Sequence, residues 1–338
     1  MSLRNSPVVS VVMPSYNHER FINYSIESVI SQTLRSWELV VVDDGSNDGS
    51  REIIEDWLHR DNRINRVFHA ENEGIAKTVN DGIRAASGQY VLIMASDDML
   101  KRNALQLAVH TLDSNADCGA AILEAEIIDD RNNSVGILFS DLYRGPTLKK
   151  GFFFGDLVKS NYVCTGVVRR ALIDEHGIGF DESMKYLNDW LFWLDLSRVC
   201  KFIYMSDPLY GYRVHSNNTL RLDLVGHAAD WLVLPEKMFE KYGTDLSAEN
   251  KSILLRTAGE IQAVAGDIRS ARELLCRSIG LDQDFKSRAR STLILLFVNA
   301  PRLYFLSRKM LALLPGFERN ARKHRVRMIW REINRSMG

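Results

Sequence analysis

Residues 8–50 decide the fold of this chain, and they read VVSVVMPSYNHERFINYSIESVISQTLRSWELVVVDDGSNDGS. Continuous β-branched runs at Val8–Met13 and Trp37–Val42 predict two buried parallel strands. The apolar residues of Phe21–Thr33 have helical spacing, which predicts a helix that connects the two strands. Ser50 is expected to cap a second helix. Because strands and helices alternate, we predict a mostly parallel sheet with helices on both faces.

The alternation continues to about residue 100, and after about Leu220 the pattern becomes wholly helical. We therefore predict an α/β domain over residues 1–220 and an all-helical region over residues 221–338. Within that region, Gly266-Asp267 is expected to turn the chain between two helices. The remaining predicted strands are Arg63–His69, Tyr90–Ala95, Ala120–Asp129, Val135–Phe139 and Phe202–Tyr212, and the remaining predicted helices include Gly74–Ala86, Lys101–Asn115 and Leu187–Val199.

The composition is that of an ordinary globular protein, with 46% hydrophobic and 25% charged residues among 338. The formal net charge is zero, so nothing global favours a nucleic-acid partner, and we predict none. Four scattered cysteines without a CxxC pair favour a reducing compartment, the cytoplasm. The short polar segment before the first strand indicates no signal peptide.

Basic residues are concentrated in a C-terminal tail. From Pro301 onward, ten lysines and arginines stand against two acids, so the tail carries +8 and the rest of the chain −8. Charged residues and Pro301 interrupt the apolar stretch Leu293–Leu314, so we predict no membrane span there. Two interpretations stay open: peripheral contact with an anionic inner membrane face, or a helix packed on the domain with a solvated basic face.

Polar clusters follow three of the predicted strands. Pro14–Asn17 comes after the first, Asp43–Ser46 after the second and Asp97-Asp98 after the fourth. In open parallel sheets, ligands bind beyond the carboxyl ends of the strands. The sequence therefore predicts a binding site where these three loops meet.

The order and spacing of these clusters, with several later motifs, resemble glycosyltransferase family 2. The resemblance spans roughly residues 8–220 and is specific because the motifs occur together. Besides residues 8–50, it is carried by Asn72-Glu73-Gly74, Asn80, Gly82, Gly88-Gln89-Tyr90, Ser96-Asp97-Asp98, Gly179-Phe180-Asp181-Glu182, Asn188-Asp189-Trp190 and Tyr212-Arg213-Val214-His215.

This resemblance implies a GT-A fold, with residues 1–100 as the nucleotide-binding half and residues 101–220 as the acceptor half. It implies an inverting transfer of a sugar from a nucleotide-diphosphate sugar, most often a UDP-sugar, to a glycan or lipid-linked acceptor. Polysaccharide assembly at a bacterial envelope would be the setting. The helical region 221–338 lies beyond the resemblance.

The resemblance also implies which residues hold the nucleotide sugar. A base-binding aspartate is expected in the pair Asp43 and Asp44, and which of the two it is stays open. Pro14, Tyr16 and Asn17 would hold the base or ribose from the other side. Each of these loops has a plainer interpretation as a turn that ends a strand.

Asp97-Asp98 predicts a divalent cation, Mg²⁺ or Mn²⁺. Adjacent acids at the end of a buried strand are costly without a nearby cation, and a divalent ion can bridge two phosphates. By resemblance, Asp98 would be the ligand, Asp97 would face the ribose or donor sugar, and His215 would complete the metal shell. Ala95 departs from the commonest pattern, which has an aspartate there. A purely structural His215, and Asp98 as a helix cap, are the alternatives.

Asp189 is the predicted general base. Inversion requires a base opposite the departing diphosphate to take the proton of the acceptor hydroxyl. The family usually has Glu-Asp here, whereas this chain has Asn188-Asp189 and so lacks the glutamate that would support the base. The alternative is an aspartate that only caps a helix.

Two other functions compete with a glycosyltransferase. A nucleotidyltransferase would need a glycine-rich phosphate loop after the first strand, which Pro14–Asn17 is not. A non-catalytic nucleotide-sugar-binding scaffold would fit the departures at Ala95 and Asn188, although Asp98 and Asp189 are both retained.

Overall fold

The computed structural model describes residues 6–142, 148–160, 163–215, 224–282 and 284–298. The chain forms two compact units, residues 1–218 and 219–338. The basic tail, from Pro301 onward, lies outside the described residues, as does most of the apolar stretch Leu293–Leu314. None of the described helices combines the length and apolar content needed to cross a membrane.

The first unit contains ten strands, β1 to β10, and eight helices, α1 to α8, in its described residues. The strands are Val9–Ser15, Trp37–Asp43, Ile64–Phe68, Tyr90–Ile93, Met99–Leu100, Cys118–Ile128, Ser134–Leu138, Lys150–Gly151, Thr165–Arg169 and Lys201–Arg213. The helices are Ile22–Ile30, Ser50–Arg60, Ile75–Ala85, Ala104–Asp113, Phe139–Leu142, Phe154–Lys159, Arg170–His176 and Asn188–Val199.

The N-terminal part of the sheet is parallel, in the strand order β3-β2-β1-β4. Every residue of β1 is buried, as expected for a central strand covered on both faces. Helix α3 packs closely on β1 and β2, because an added Cβ at Gly82 would lie 2.3 Å from Val12 Cγ1. The alternation of strand and helix predicted from the sequence is therefore present.

The sheet continues as β9-β6-β10-β5, where β9 and β5 run antiparallel to their neighbours while β6 and β10 are parallel. β9 was not identified as a strand from its sequence. It pairs with β4 through Leu92 and Val167, and so joins the parallel part to the mixed part. The result is the predicted α/β architecture, a mostly parallel sheet surrounded by helices.

One predicted helix cap is wrong, and one alternative interpretation is excluded. Ser50 does not cap α2; Gly49 occupies the cap position, and the Ser50 hydroxyl accepts a hydrogen bond from the backbone N–H of His18 (3.0 Å). Asp98 does not cap a helix either, because the next residues form β5 against Tyr210 and Gly211. In both cases a contact distant in sequence replaces the local one that a cap would make.

The second unit is helical in its described residues, as predicted. Its helices are α9 (Leu224–Tyr242), α10 (Ala248–Ala265), α11 (Ile268–Leu281) and α12 (Phe285–Phe297). Gly266 ends α10 in the left-handed conformation with φ 93°, and the Asp267 side chain caps α11 by accepting from the backbone N–H of Ser270. The predicted turn at Gly266-Asp267 is therefore confirmed.

Candidate active site

The carboxyl ends of β1, β2 and β4 meet at one edge of the sheet, which we call the rim. Ser15 pairs with Asp43 at the ends of β1 and β2, and the backbone N–H of Asp44 donates to the Ser15 carbonyl across 2.8 Å. On the other side of β1, the N–H of Met94 donates to the Val12 carbonyl (2.9 Å). The three polar loops that predict a site therefore lie side by side.

Asp43 is fully buried, and its carboxylate is occupied by protein partners. Its Oδ1 accepts from the backbone N–H of Ser46 (3.0 Å) and from Arg51 Nε (2.6 Å), and its Oδ2 accepts from the Ser46 hydroxyl. Such partners offset the loss of solvation of a buried charge. Asp43 therefore shapes the loop after β2, and its predicted contact with a base stays a prediction.

Asp44 is buried and ties the same loop to the start of α3. Its Oδ1 accepts from the backbone N–H of Glu73 (2.8 Å) and contacts His69 Nδ1 (2.8 Å), while Oδ2 accepts from the N–H of Gly74 (2.9 Å). Gly45 follows with φ 75°, and an added Cβ there would meet the backbone of the next loop at 2.5 Å. The choice between Asp43 and Asp44 as base-binding residue stays open.

The loop after β1 combines a braced part with an exposed aromatic ring. Pro14 is buried within β1, opposite Val42. Asn17, with φ 54°, joins its Oδ1 to the backbone N–H of Asn47 (2.8 Å) and so holds this loop against the one after β2. Tyr16 keeps 42% of its surface exposed, so its ring is available to a flat ligand such as a base.

Asp97 is brought together with two histidines from distant parts of the chain. His215 Nε2 lies 3.0 Å from Asp97 Oδ2, and His18 Nε2 lies 4.0 Å from the same oxygen. Within the described ranges, these three form the one group of His, Cys, Asp or Glu side chains close enough to share a metal ion, with donor atoms within 4.8 Å of one another. The family resemblance implies that Asp97 faces the ribose or donor sugar, and in the structure its carboxylate lies beside His215.

Asp98 points into the protein. Its Oδ1 accepts from the backbone N–H of Arg213 (2.8 Å), and its Oδ2 accepts from the Tyr210 hydroxyl (2.7 Å). The Arg213 guanidinium is engaged as well: it donates to the carbonyls of Asp97 and Asp129 and stacks on the Phe21 ring, 4.9 Å from its centroid. Asp98 and Arg213 therefore brace the end of β10 against the rim.

The two adjacent aspartates differ in their electrostatics. Burial favours a higher pKa for Asp97, but the hydrogen bond with His215 and the charges of His18 and His215 hold its pKa below the usual value. Burial and the charge of Asp97 hold the pKa of Asp98 well above its usual range, although the Arg213 N–H and the Tyr210 hydroxyl oppose this. Of the pair, Asp97 carries the negative charge.

Asp189 lies in the first turn of α8, where Leu187 occupies the cap position, so it is not the helix cap. Its Oδ1 accepts from the backbone N–H of Trp190 (2.7 Å), and its Oδ2 has no hydrogen-bond partner among the described residues. Burial raises the pKa of Asp189 to about 6, even though backbone N–H groups lower it. An aspartate with such a pKa and an open oxygen is suited to accept a proton near neutral pH.

The thiol of Cys164 is affected by the charges of both Asp189 and the rim aspartates. The thiol pKa is raised well above its usual value, first by burial and then by the charges of Asp98, Asp189, Glu124 and Asp97. Cys164 directly precedes β9, whose first residue pairs with β6 and donates its side-chain hydroxyl to the carbonyl of Ile93 at the end of β4. Asp189 and Asp97-Asp98 therefore all lie close enough to Cys164 to raise the pKa of its thiol.

Sequence reasoning missed His18. It directly follows Asn17 in a loop already predicted to bind ligand, and position 95 lacks the usual carboxylate, so two signals pointed to it. The bracing of Asp98 by Tyr210 could not be anticipated, because it depends on the pairing of β5 with β10. Asn188, at the position of the missing glutamate, is buried and donates to the Met184 carbonyl (3.2 Å).

Comparison with known proteins identifies the family of this chain. The model of the family described as glycosyl transferase family 2 matches residues 10–177. An uncharacterized glycosyltransferase of Haemophilus influenzae is 30% identical over 226 residues, which cover 64% of this chain and 68% of the relative. The chain belongs to glycosyltransferase family 2. It is therefore a transferase enzyme, and it spans about two thirds of the length of the relatives that it matches most fully.

Solved structures of two proteins share the fold. Staphylococcus aureus TarS 1–349 superposes with a TM-score of 0.62 at 19% identity, covering 86% of this chain and 87% of that chain. The TM-score is 0.56 at 18% identity for its complex with UDP-GlcNAc, over 86% and 81% of the two chains. The mannosyltransferase PcManGT of Pyrobaculum calidifontis, in complex with GDP-Man and Mn²⁺, gives 0.56 at 17% identity over 93% and 83%. These likenesses confirm the GT-A fold implied by the sequence.

Proposed function

We propose that this enzyme transfers a sugar, with inversion, from a nucleotide-diphosphate sugar to a hydroxyl of a glycan or lipid-linked acceptor. The observation that carries the proposal is the convergence of Asp97, His215 and His18 at the rim. Asp189 supports it, because its charge and those of the rim aspartates act on the same thiol, that of Cys164. A negatively charged carboxylate beside imidazole nitrogens suits a divalent cation, and Asp189 suits a base. UDP is the preferred nucleotide, since the family most often uses it.

The donor set fits Mn²⁺ or Mg²⁺. Asp97 Oδ2 and His215 Nε2 lie 3.0 Å apart, which is about the separation of two ligands at right angles around one cation. Asp97 and His215 would hold the cation, which would supply positive charge to offset the negative charge of the departing diphosphate. We assign the ligand role to Asp97 in place of Asp98, because both oxygens of Asp98 already accept hydrogen bonds from the protein.

The chain's own residues then have separate tasks. Tyr16 offers an exposed ring to the base, while Asp43, Asp44 and Asn17 fix the loops around it. Asp189 takes the proton of the acceptor hydroxyl as that oxygen attacks the anomeric carbon, and its open Oδ2 is the accepting atom. We place the reaction in the cytoplasm, in polysaccharide assembly at the cell envelope. Peripheral membrane contact through the basic tail remains part of the proposal.

The donor proposal is tested by thermal unfolding with a panel of UDP, GDP, dTDP and CDP, each with and without Mn²⁺. One nucleotide should raise the melting temperature only when Mn²⁺ is present, because ligand at 100 times its Kd stabilises the folded state by about 2.7 kcal/mol. The rise should vanish in Asp97→Asn and persist in Asp189→Asn. No shift with any of the four nucleotides would overturn the donor proposal and favour a scaffold that has kept the fold without the chemistry.

The pH dependence of turnover tests the base. Since Asp189 must be ionised to accept a proton and its pKa is raised to about 6, kcat should be level above pH 7 and fall about tenfold per pH unit below pH 6. The profile is measured at saturating Mn²⁺, so that metal binding does not limit turnover at low pH. A kcat that stays level down to pH 4.5 would exclude Asp189 as the base.

A further inference from the structure

The proposed cation has few protein ligands if only the expected residues are counted. Position 95 is an alanine, and Asp98 is turned into the protein, so the loop after β4 contributes Asp97 alone. On the basis of the function proposed above, we infer that His18 is a third protein ligand of this cation. His18, Asp97 and His215 then form a site of two imidazoles and one carboxylate that favours Mn²⁺ over Mg²⁺.

The two distances that involve Asp97 are compatible with donors around a shared ion. His18 Nε2 lies 4.0 Å from Asp97 Oδ2, which is too far for a hydrogen bond, and His215 Nε2 lies 3.0 Å from that oxygen. Two ligands about 2.1 Å from one cation are roughly 3 Å apart at right angles and roughly 4.2 Å apart when opposite. The 4.0 Å between His18 Nε2 and Asp97 Oδ2 is therefore wide enough for one cation to bind both atoms.

Hydrogen bonds of the protein hold His18 in this position. Its Nδ1 lies 2.8 Å from the hydroxyl of Ser96, a buried residue, and its backbone N–H donates to Ser50 Oγ (3.0 Å). When Nδ1 carries the proton and donates it to Ser96, the lone pair of Nε2 faces Asp97. Fixing a metal-binding histidine through its other nitrogen is how proteins orient such ligands.

The site is open on one side. The His18 side chain keeps 24% of its surface exposed, at a small cleft whose lining also includes Asn17, Glu19, Phe21 and Asp48. The ring of His215 is buried and stands nearly perpendicular to that of His18, with centroids 6.0 Å apart. A hydrated cation can therefore enter from the cleft and exchange waters for the three side chains.

The donor set determines which cation is preferred. Imidazole nitrogen suits transition metals, whereas Mg²⁺ prefers oxygen ligands and gives up its water reluctantly. Two imidazoles with a single carboxylate therefore select Mn²⁺ when both ions are available. A site that had an aspartate at position 95 and no histidine at position 18 would lack this preference.

The test measures Mn²⁺ alone, without nucleotide, by the EPR signal of free Mn²⁺ during titration of the full chain. His18→Ala and His18→Asn should each raise the Kd for Mn²⁺ at least tenfold, as loss of a ligand requires. His18→Asn is informative because its amide can keep the contact with Ser96 that Nδ1 makes, but offers nothing at the position of Nε2. His59→Ala, at an exposed histidine on α2, is the matched control and should bind as the wild type does.

Electron spin-echo spectroscopy of the bound Mn²⁺ supplies a second readout. The wild type should show two coordinated imidazole nitrogens and His18→Asn one, and Mg²⁺ should displace Mn²⁺ more easily from that variant. A wild type with one imidazole nitrogen, or a His18→Asn variant with unchanged Kd, would overturn the role of His18 and leave the proposed function standing. A wild type that binds no Mn²⁺ at millimolar concentration would overturn the metal site altogether.

Discussion

Replacing Asp189 with Asn should lower kcat by about 10²–10⁴-fold while leaving the affinity for the nucleotide nearly unchanged. The substitution keeps the size of the side chain and an oxygen that can accept from the Trp190 N–H, but removes the group that takes the acceptor proton. The measurement is turnover with the donor identified by thermal unfolding, followed as release of nucleoside diphosphate, together with the Kd of that nucleotide in Mn²⁺.

The control for this prediction is the same substitution further along α8, Asp195→Asn, which should keep kcat within a few-fold of the wild type. Loss of nucleotide affinity in Asp189→Asn would place Asp189 in donor binding instead of catalysis. A variant that retains more than a tenth of wild-type kcat would mean that another group accepts the proton.

The same substitution should stabilise the protein at neutral pH. Because the folded-state pKa of Asp189 is raised to about 6, the protein loses stability as the pH rises from about 4 through 6 and the buried carboxyl ionises. Asparagine does not ionise, and the partial opening of Asp189 to solvent reduces the effect to about 1–2 kcal/mol at pH 7.5. Below pH 4 the two proteins should be equally stable. Catalytic groups commonly lower the stability of the folded protein while they increase its activity.

The N-terminal half of the fold could be predicted from sequence because local patterns determine it. Continuous apolar runs identify β1 and β2, and the polar loops after them lie together because parallel strands end at one edge. β9 escaped prediction because it is a short strand whose place between β4 and β6 is decided by pairing with residues far away in sequence. Its pattern alone did not separate it from a loop.

The candidate site was predictable as a place, but less so as an arrangement of atoms. Sequence order puts Asp97 and Asp98 next to each other, and nothing local says which one turns outward. That is decided by β10, whose Tyr210 and Arg213 occupy both oxygens of Asp98. His18 and His215 approach Asp97 only because the loop after β1 and the end of β10 meet at the rim. The distances between these side chains depend on contacts between parts of the chain that are far apart in sequence, and a short sequence motif does not specify those contacts.

The orientation of the two aspartates leads to the second large effect. Asp97→Asn should weaken Mn²⁺ binding at least 100-fold and lower kcat/KM by about 10²–10³-fold, because the amide keeps the shape of the side chain but not its negative charge. Asp98→Asn should bind Mn²⁺ within a few-fold of the wild type. Its amide can still accept from the Arg213 N–H and donate to the Tyr210 oxygen, so the brace is kept. Both variants are titrated with Mn²⁺ by EPR and assayed at saturating metal.

This pair of variants separates the two ways of assigning the metal. If Asp98→Asn loses Mn²⁺ and Asp97→Asn retains it, the assignment implied by the family motif is right, and Asp98 must turn outward when the cation binds. If only Asp97→Asn loses it, the arrangement seen here is already the binding arrangement. In that case Asp98 has a structural role. Its raised pKa favours an uncharged carboxyl, and the negative charge of the pair lies on Asp97. Adding excess Mn²⁺ should then partly restore kcat in Asp97→Asn, because His18 and His215 remain to hold the ion weakly.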